Sequence, residues 1–134
     1  MKTELTTLLS FFRQQDGFNN EAFLNLIEDT SEDVTLQILA RFQKTLEESQ
    51  AALRNGIDNN DRDLLWKTCH KVAGSAELLG FKRFALTSKD LSHSLRASPD
   101  IESHLEDLET HEKACANLNQ EISSHCPNLT NYLG

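Results

Sequence analysis

The sequence has few of the residues that interrupt helices or staple small folds. Its 134 residues include 5 Gly and 2 Pro, without a low-complexity segment or repeat, which argues against a disordered or fibrous chain. The 3 cysteines, Cys69, Cys115 and Cys126, lack CxxC spacing, so neither a disulfide framework nor a zinc site is indicated. We expect all three to be reduced packing or surface residues.

Basic residues are outnumbered by acidic ones, and long apolar runs are missing. The chain has 13 Lys and Arg against 21 Asp and Glu, a formal net charge of -8. This charge repels nucleic acid and anionic membrane surfaces, so we expect neither as a partner and favour a protein or a small cation. No run approaches the roughly 18 apolar residues of a membrane span, and the start lacks the apolar core of a signal peptide. We expect a cytoplasmic protein.

Apolar residues instead recur at helical spacing along nearly the whole chain. The pattern predicts an all-α fold with a single domain over residues 1–134. Within it, about residues 1–29 form one or two short N-terminal covering helices, and about residues 31–126 form an up-down-up-down antiparallel four-helix bundle. The long helices are divided by a capping hydroxyl within Thr30-Ser31, the polar turn Asp58-Asn59-Asn60-Asp61, a stop at Gly80 and a start at Ser98-Pro99. We expect a monomer, because four long helices can close their own core.

One histidine is not explained by this packing pattern. On a helical wheel the apolar residues of the second long helix lie within about 40° of one direction, and His70 lies roughly 140° from that direction. Gly74 follows one turn later on the same face, where a mid-helix glycine costs about 1 kcal/mol relative to alanine. With Ala73 and Ser75 it predicts a low patch that a bulky partner could approach. The alternatives are an idle surface histidine and small residues that serve helix packing.

An exposed imidazole suits phosphoryl transfer, because its neutral form is a nucleophile and its phosphorylated form remains reactive. Lys67, one turn before His70, and the adjacent Lys71 could meet phosphoryl oxygens, although both could equally be solvated surface charges. Trp66 is a candidate edge residue for partner docking, and the alternative is that it covers the flank of the bundle.

These residues carry a family resemblance. The segment CHKVAGSAELLGF, from Cys69 to Phe81, resembles the signature of the histidine phosphotransfer (HPt) family, in which a histidine precedes a small Gly-Ser/Ala step and then Leu-Gly. The long helix upstream and the partner helix downstream are also similar, so the resemblance covers about residues 23–96. Histidine, glycine and Leu-Gly in register form a fairly specific combination.

The resemblance implies a phosphorelay carrier that has no ATP-dependent kinase activity and is not an enzyme in its own right. His70 would accept a phosphoryl group from the receiver domain of a hybrid sensor histidine kinase and pass it to a response regulator. The chain itself would need no cofactor or metal, since Mg²⁺ belongs to the partner receiver. Candidate receiver-docking residues are Trp66, Ala73, Gly74, Ser75 and Glu77.

One position departs from the family pattern, because the usual lysine three residues after the histidine is Ala73 here. Lys67 or Arg96 could take its place near the phosphoryl group. The departure leaves open a degenerate HPt-like adaptor that binds receivers or kinases without transfer. A metal or redox four-helix protein is a further alternative, but His104 and His111 lie in no recognised metal motif.

Overall fold

The computed structural model describes residues 1–98 and 100–133, and they are mainly helical. Among these residues there is no strand, which confirms the predicted all-α class, and no helix has both the length and the apolar character needed to cross a membrane. The six helices are α1 (Thr3–Phe12), α2 (Asn20–Asp29), α3 (Glu32–Asp58), α4 (Arg62–Leu78), α5 (Lys82–Ala97) and α6 (Leu105–His125). Short 3₁₀ turns span Glu102–His104 and Leu129–Tyr132.

Helices α3 to α6 form the predicted bundle. Helix α4 packs between α3 and α5, while α6 packs mainly against α3, and the short connections make consecutive helices antiparallel. Helix α1 covers α6, and α2 covers α3 and α4. The apolar stripe of α4 is wholly buried and joins one continuous core; it consists of Leu65, Cys69, Val72 and Ala76, and Leu79 continues it directly after the helix.

Side-chain caps fix the starts of the two central helices where the sequence predicts them. The Ser31 hydroxyl accepts from the Val34 amide at 3.0 Å, and the Asp61 carboxylate accepts from the Leu64 amide at 3.1 Å. Each cap satisfies an amide that has no partner within its own helix. The Asp61 cap therefore fixes the residue at which α4 begins, and the helical repeat from that point determines the direction of His70.

The predicted start of the last helix at Ser98-Pro99 is wrong. Pro99 lies outside the described residues, and Ser98 is an extended residue that ends α5. The Asp100 carboxylate accepts from the Glu102 amide at 3.1 Å, so the chain first makes a separate 3₁₀ turn. Helix α6 begins only at Leu105.

Gly80 makes the tight turn from α4 to α5. Its φ of +89° lies in the left-handed region, and a Cβ there would come within 2.5 Å of the Asn19 carbonyl oxygen. The Asn19 amide donates to the Gly80 carbonyl at 2.7 Å. Glycine is required here because the segment between α1 and α2 packs directly on the turn.

The three cysteines are free and buried, so they lie at packing positions and not on the surface. Burial raises the pKa of each thiol to about 12. The thiols are therefore protonated and poorly reactive near neutral pH.

His111 on α6 is a buried polar residue of the core, with only 1% of its surface exposed. Its Nε2 lies 2.7 Å from the Ser88 hydroxyl oxygen, and that hydroxyl donates to the Phe84 carbonyl at 2.9 Å. Because the hydroxyl proton is committed to the carbonyl, the Ser88 oxygen accepts from Nε2–H. Burial lowers the pKa of His111 from 6.5 to about 4, so the ring is neutral at physiological pH.

We expect His111 to make the fold less stable in acid. Its pKa is lower in the folded than in the unfolded chain, so between about pH 6.5 and pH 4 protons bind preferentially to the unfolded state. Acidification from pH 7 to pH 4.5 should cost roughly 2 to 3 kcal/mol of unfolding free energy through this residue. Urea denaturation at both pH values should show a smaller difference for His111→Gln than for wild type. His93→Gln, at an exposed position on α5, should keep the wild-type difference; equal differences in all three proteins would contradict the assignment.

Candidate functional site

His70 lies in the middle of α4 and is exposed to solvent. Its exposure follows from the wheel, because the core stripe of α4 occupies the opposite side of the helix. The imidazole is therefore presented by a rigid helix whose other face is anchored in the core. A nucleophile held in this way can be approached by a protein partner without local unfolding.

Gly74 is exposed one turn after His70, and beyond its own stretch of helix a Cβ built at this position meets nothing within 4 Å in the described part of the chain. Packing within the chain therefore does not require a glycine here. Since glycine weakens a helix interior, its presence leaves a low surface beside His70 at the expense of helix stability.

The other predicted docking residues are divided between the two sides of α4. Ala73 is only 3% exposed, because α5 packs against that side of α4, so its assignment as a docking contact is wrong. Ser75 is half-buried on the other side, where it lines a groove between α3 and α4 with Leu78. Glu77 is exposed, and its carboxylate lies 3.6 Å from the Lys89 ammonium on α5.

Trp66 organises the cationic side chains near His70. Its half-buried ring lies 4.7 Å from the Arg96 guanidinium carbon and 5.7 Å from the Lys67 ammonium, measured to the ring centroid. The Ser92 hydroxyl donates to the Trp66 carbonyl at 3.0 Å and so ties α5 to α4 at this level. Cation–π attraction favours both side chains near the ring. The structure thus brings together Lys67 and Arg96 one turn from His70, whereas Lys71 is exposed outside this cluster.

Lys89 lies on the same exposed side of α5 as Arg96, but the sequence analysis did not include it among the candidate site residues. Lys82, Lys89 and Arg96 recur every seven residues, which places them on one exposed side of α5. That spacing was the available signal, but it does not reveal which neighbouring helix the side faces. The contact between Lys89 and Glu77 shows that it borders α4.

Charge is unevenly distributed over the chain. Residues 62–97, which include α4 and α5, contain seven Lys or Arg and three Asp or Glu. Residues 100–133, which include α6, contain one Lys and seven Asp or Glu. The helix pair that carries His70 is therefore cationic within an acidic protein, and it favours an anionic partner surface.

A comparison with models of known protein families shows the family to which this chain belongs. The profile described as Hpt domain matches residues 37–125, about two thirds of the chain, and includes the whole of α4 and α5. The chain belongs to the Hpt domain family. Searches of curated proteins and of solved structures found no match.

Membership of the Hpt family assigns a general role. Hpt domains carry phosphoryl groups in two-component phosphorelays and interact with receiver domains, and they are carrier modules, not kinases. The match extends through α6, beyond the resemblance drawn over about residues 23–96. Among residues 1–98 and 100–133, no group of three or more His, Cys, Asp or Glu side chains is placed to hold a metal ion.

Proposed function

We propose that this Hpt protein accepts a phosphoryl group on His70 from a receiver aspartate of a hybrid sensor kinase and relays it to a response regulator. The observation that carries the proposal is the exposed His70 next to an open surface at Gly74, where no packing contact with the described residues explains the glycine. A receiver can bring its phosphoaspartate to an imidazole only where the helix surface is low on the approach side.

The transfer step needs little chemistry from the acceptor. A ring nitrogen of neutral His70 forms the new N–P bond as the O–P bond to the receiver aspartate breaks. The aspartate is regenerated as a carboxylate, and the imidazole loses its ring proton to solvent. Such transfer depends mainly on in-line positioning and charge stabilisation. We place the required Mg²⁺ in the acidic pocket of the receiver and assign no metal or cofactor to this chain.

Cations of this chain would stabilise the phosphohistidine. The position three residues after His70 is Ala73, which is buried and carries no charge, so the cation must come from another residue. Lys67 and Arg96 lie around Trp66 on the same helix pair and are the candidates that the geometry favours. Lys71, next to His70 and exposed, is a weaker candidate because no described contact directs it toward the imidazole face.

The direct test is to incubate the intact protein with a separately phosphorylated, purified receiver domain. We expect a mass increase of one phosphoryl group, which is acid-labile and alkali-stable, on the peptide that contains residue 70. A degenerate adaptor would bind without this mass increase. The single tryptophan provides a separate signal for binding, because docking of a tryptophan-free receiver should change Trp66 fluorescence whether or not the phosphoryl group is transferred. A fluorescence change without labelling by several receivers would overturn the transfer function.

Removal of the cations beside Trp66 should slow transfer. Lys67→Ala and Arg96→Ala should each reduce the rate of phosphorylation, or shorten phosphohistidine lifetime, by about fivefold, since each removes a charge-assisted contact to phosphoryl oxygens. Quenched-flow transfer from a phosphorylated receiver measures the rate, and decay of the isolated phosphoprotein measures the lifetime. Lys113→Ala removes an exposed cation of α6 and should leave both unchanged. Wild-type values for both site variants would exclude them as substitutes for the family lysine.

A further inference from the structure

A groove of about 230 Å³ runs between α3 and α4, on the side of α4 that faces away from α5. Two of the residues that line it, Phe42 and Leu79, are buried in the core, so its deepest part is apolar. Its walls include Ile38 from α3 and Leu78 from α4, and Leu78 is one of the exposed large apolar residues. A partner that covered this side chain and filled the groove would remove apolar surface from water.

The groove is continuous with the surface around His70. Gly74 follows His70 by four residues, and Leu78 follows Gly74 by four more. Each step of four residues rotates the surface by about 40° beyond one full turn of the helix. The rotation leads away from buried Ala73 and toward Ser75, which lines the groove. The row therefore passes over the open surface of Gly74 and reaches the groove about 12 Å from His70 along the helix axis.

The charges beside the groove favour an acidic partner. Of the described residues that line it, exposed Arg41 is a cation and none is an acid, although the whole chain has a net charge of -8. Lys71 is exposed on the same side of α4, one turn before Ser75. The α5 side of α4 differs, because Glu77 is exposed there and its carboxylate lies 3.6 Å from the Lys89 ammonium. A partner that carries carboxylates beside an apolar side chain therefore fits the α3 side better.

We propose that the receiver domain docks on the α3 side of His70, with an apolar side chain in the groove against Leu78 and a carboxylate at Arg41. This inference rests on the proposed function, because the occupant is the receiver that delivers the phosphoryl group. The acidic pocket around the receiver aspartate faces His70 and complements exposed Lys71, and the apolar contact lies about 12 Å away. Helix α3 is therefore part of the docking surface.

Two exposed leucines on neighbouring helices decide the docking side. Leu78 on α4 is 51% exposed and Leu86 on α5 is 56% exposed, so Leu78→Ser and Leu86→Ser remove equivalent side chains from the α3 side and the α5 side. Isothermal titration calorimetry of each intact protein with a purified, unphosphorylated receiver domain gives the dissociation constant. We expect Leu78→Ser to weaken binding about tenfold and Leu86→Ser to leave it within about twofold of wild type. Equal effects of the two substitutions, or a larger effect of Leu86→Ser, would overturn the proposal.

Charge reversal provides an independent test. Arg41→Glu should weaken receiver binding about tenfold at low ionic strength and less than about threefold in about 1 M NaCl, where the Debye length is about 3 Å. The effect of Leu78→Ser should persist at high salt, because apolar burial is not screened. Lys113→Glu makes the same change of charge at an exposed position of α6 and should leave the affinity within about twofold of wild type. Wild-type affinity of Arg41→Glu at low salt would refute the placement.

Failure of this docking mode and failure of the transfer function give different results. If the wild-type chain is labelled on His70 but Leu78→Ser binds the receiver as tightly as wild type, the docking side is wrong and the transfer function stands. If the wild-type chain binds the receiver without being labelled, transfer fails, and a selective loss of affinity in Leu78→Ser still supports the α3 side. No binding of the wild-type chain to any of several receivers would overturn both.

Discussion

His70→Gln is expected to lose phosphoryl acceptance from a receiver by at least about 100-fold, because the amide has no nucleophilic nitrogen. Glutamine is close in size and polarity to histidine, and the position is exposed, so the fold should not change. The measurement is the initial rate of labelling from a phosphorylated receiver, with circular dichroism and thermal unfolding to confirm that the variant is folded. Binding of the receiver, followed by Trp66 fluorescence, should persist.

The matched control is His93→Gln, the same substitution at an exposed histidine on the neighbouring helix α5. This variant should be phosphorylated at the wild-type rate, and its phosphoryl group should be acid-labile as in the wild-type protein. Labelling of His70→Gln at the wild-type rate would mean that another residue is the acceptor, and loss of labelling in both variants would point to a more general effect on docking.

Two substitutions of Gly74 should have opposite effects on stability and transfer. Gly74→Ala should raise the unfolding free energy by about 1 kcal/mol, because beyond its own stretch of helix the new methyl group meets no atom of the described residues within 4 Å and alanine favours the helix. Gly74→Phe should also fold, but its ring would hold the receiver away from His70. A displacement of the reacting atoms by about 1 Å can cost about 100-fold in rate, so we expect transfer to fall by roughly that factor.

Urea denaturation measures the first effect, and rapid-quench transfer measures the second. Gln120→Phe places the same ring at an exposed position of α6, away from the His70 helix pair, and should leave transfer unchanged. Wild-type transfer by Gly74→Phe would show that the receiver does not approach over this glycine. A destabilised Gly74→Ala would mean that the open space is filled in solution.

The sequence predicted the helices well where their signals are local. Ser31 and Asp61 act as caps in the structure, and His70 is exposed on the face opposite to the core stripe. Caps and helical periodicity depend on residues within about one turn, which a single sequence records completely. The start at Ser98-Pro99 failed because a separate 3₁₀ turn precedes α6, and its hydrogen bonds involve residues beyond the cap signal.

Ala73 shows the limit of a wheel drawn for one helix. It lies close to His70 on the wheel and was expected at the docking surface, but α5 covers it. A wheel gives the direction of a side chain relative to its own helix and does not state where the neighbouring helix begins to cover it. The edge of the exposed face was therefore the least predictable part of the site.

By itself the sequence determined the all-α fold, the exposed position of His70, the loss of helix stability caused by Gly74 and the family signature around these two residues. Only the tertiary structure decided that Arg96 lies against Trp66 with Lys67, that Lys89 meets Glu77, and that His111 is buried with its Nε2 on the Ser88 hydroxyl. The first group depends on periodicity and residue chemistry within one helix. The second depends on the rotation and offset of α5 and α6 against their neighbours, which the packing of many side chains fixes together.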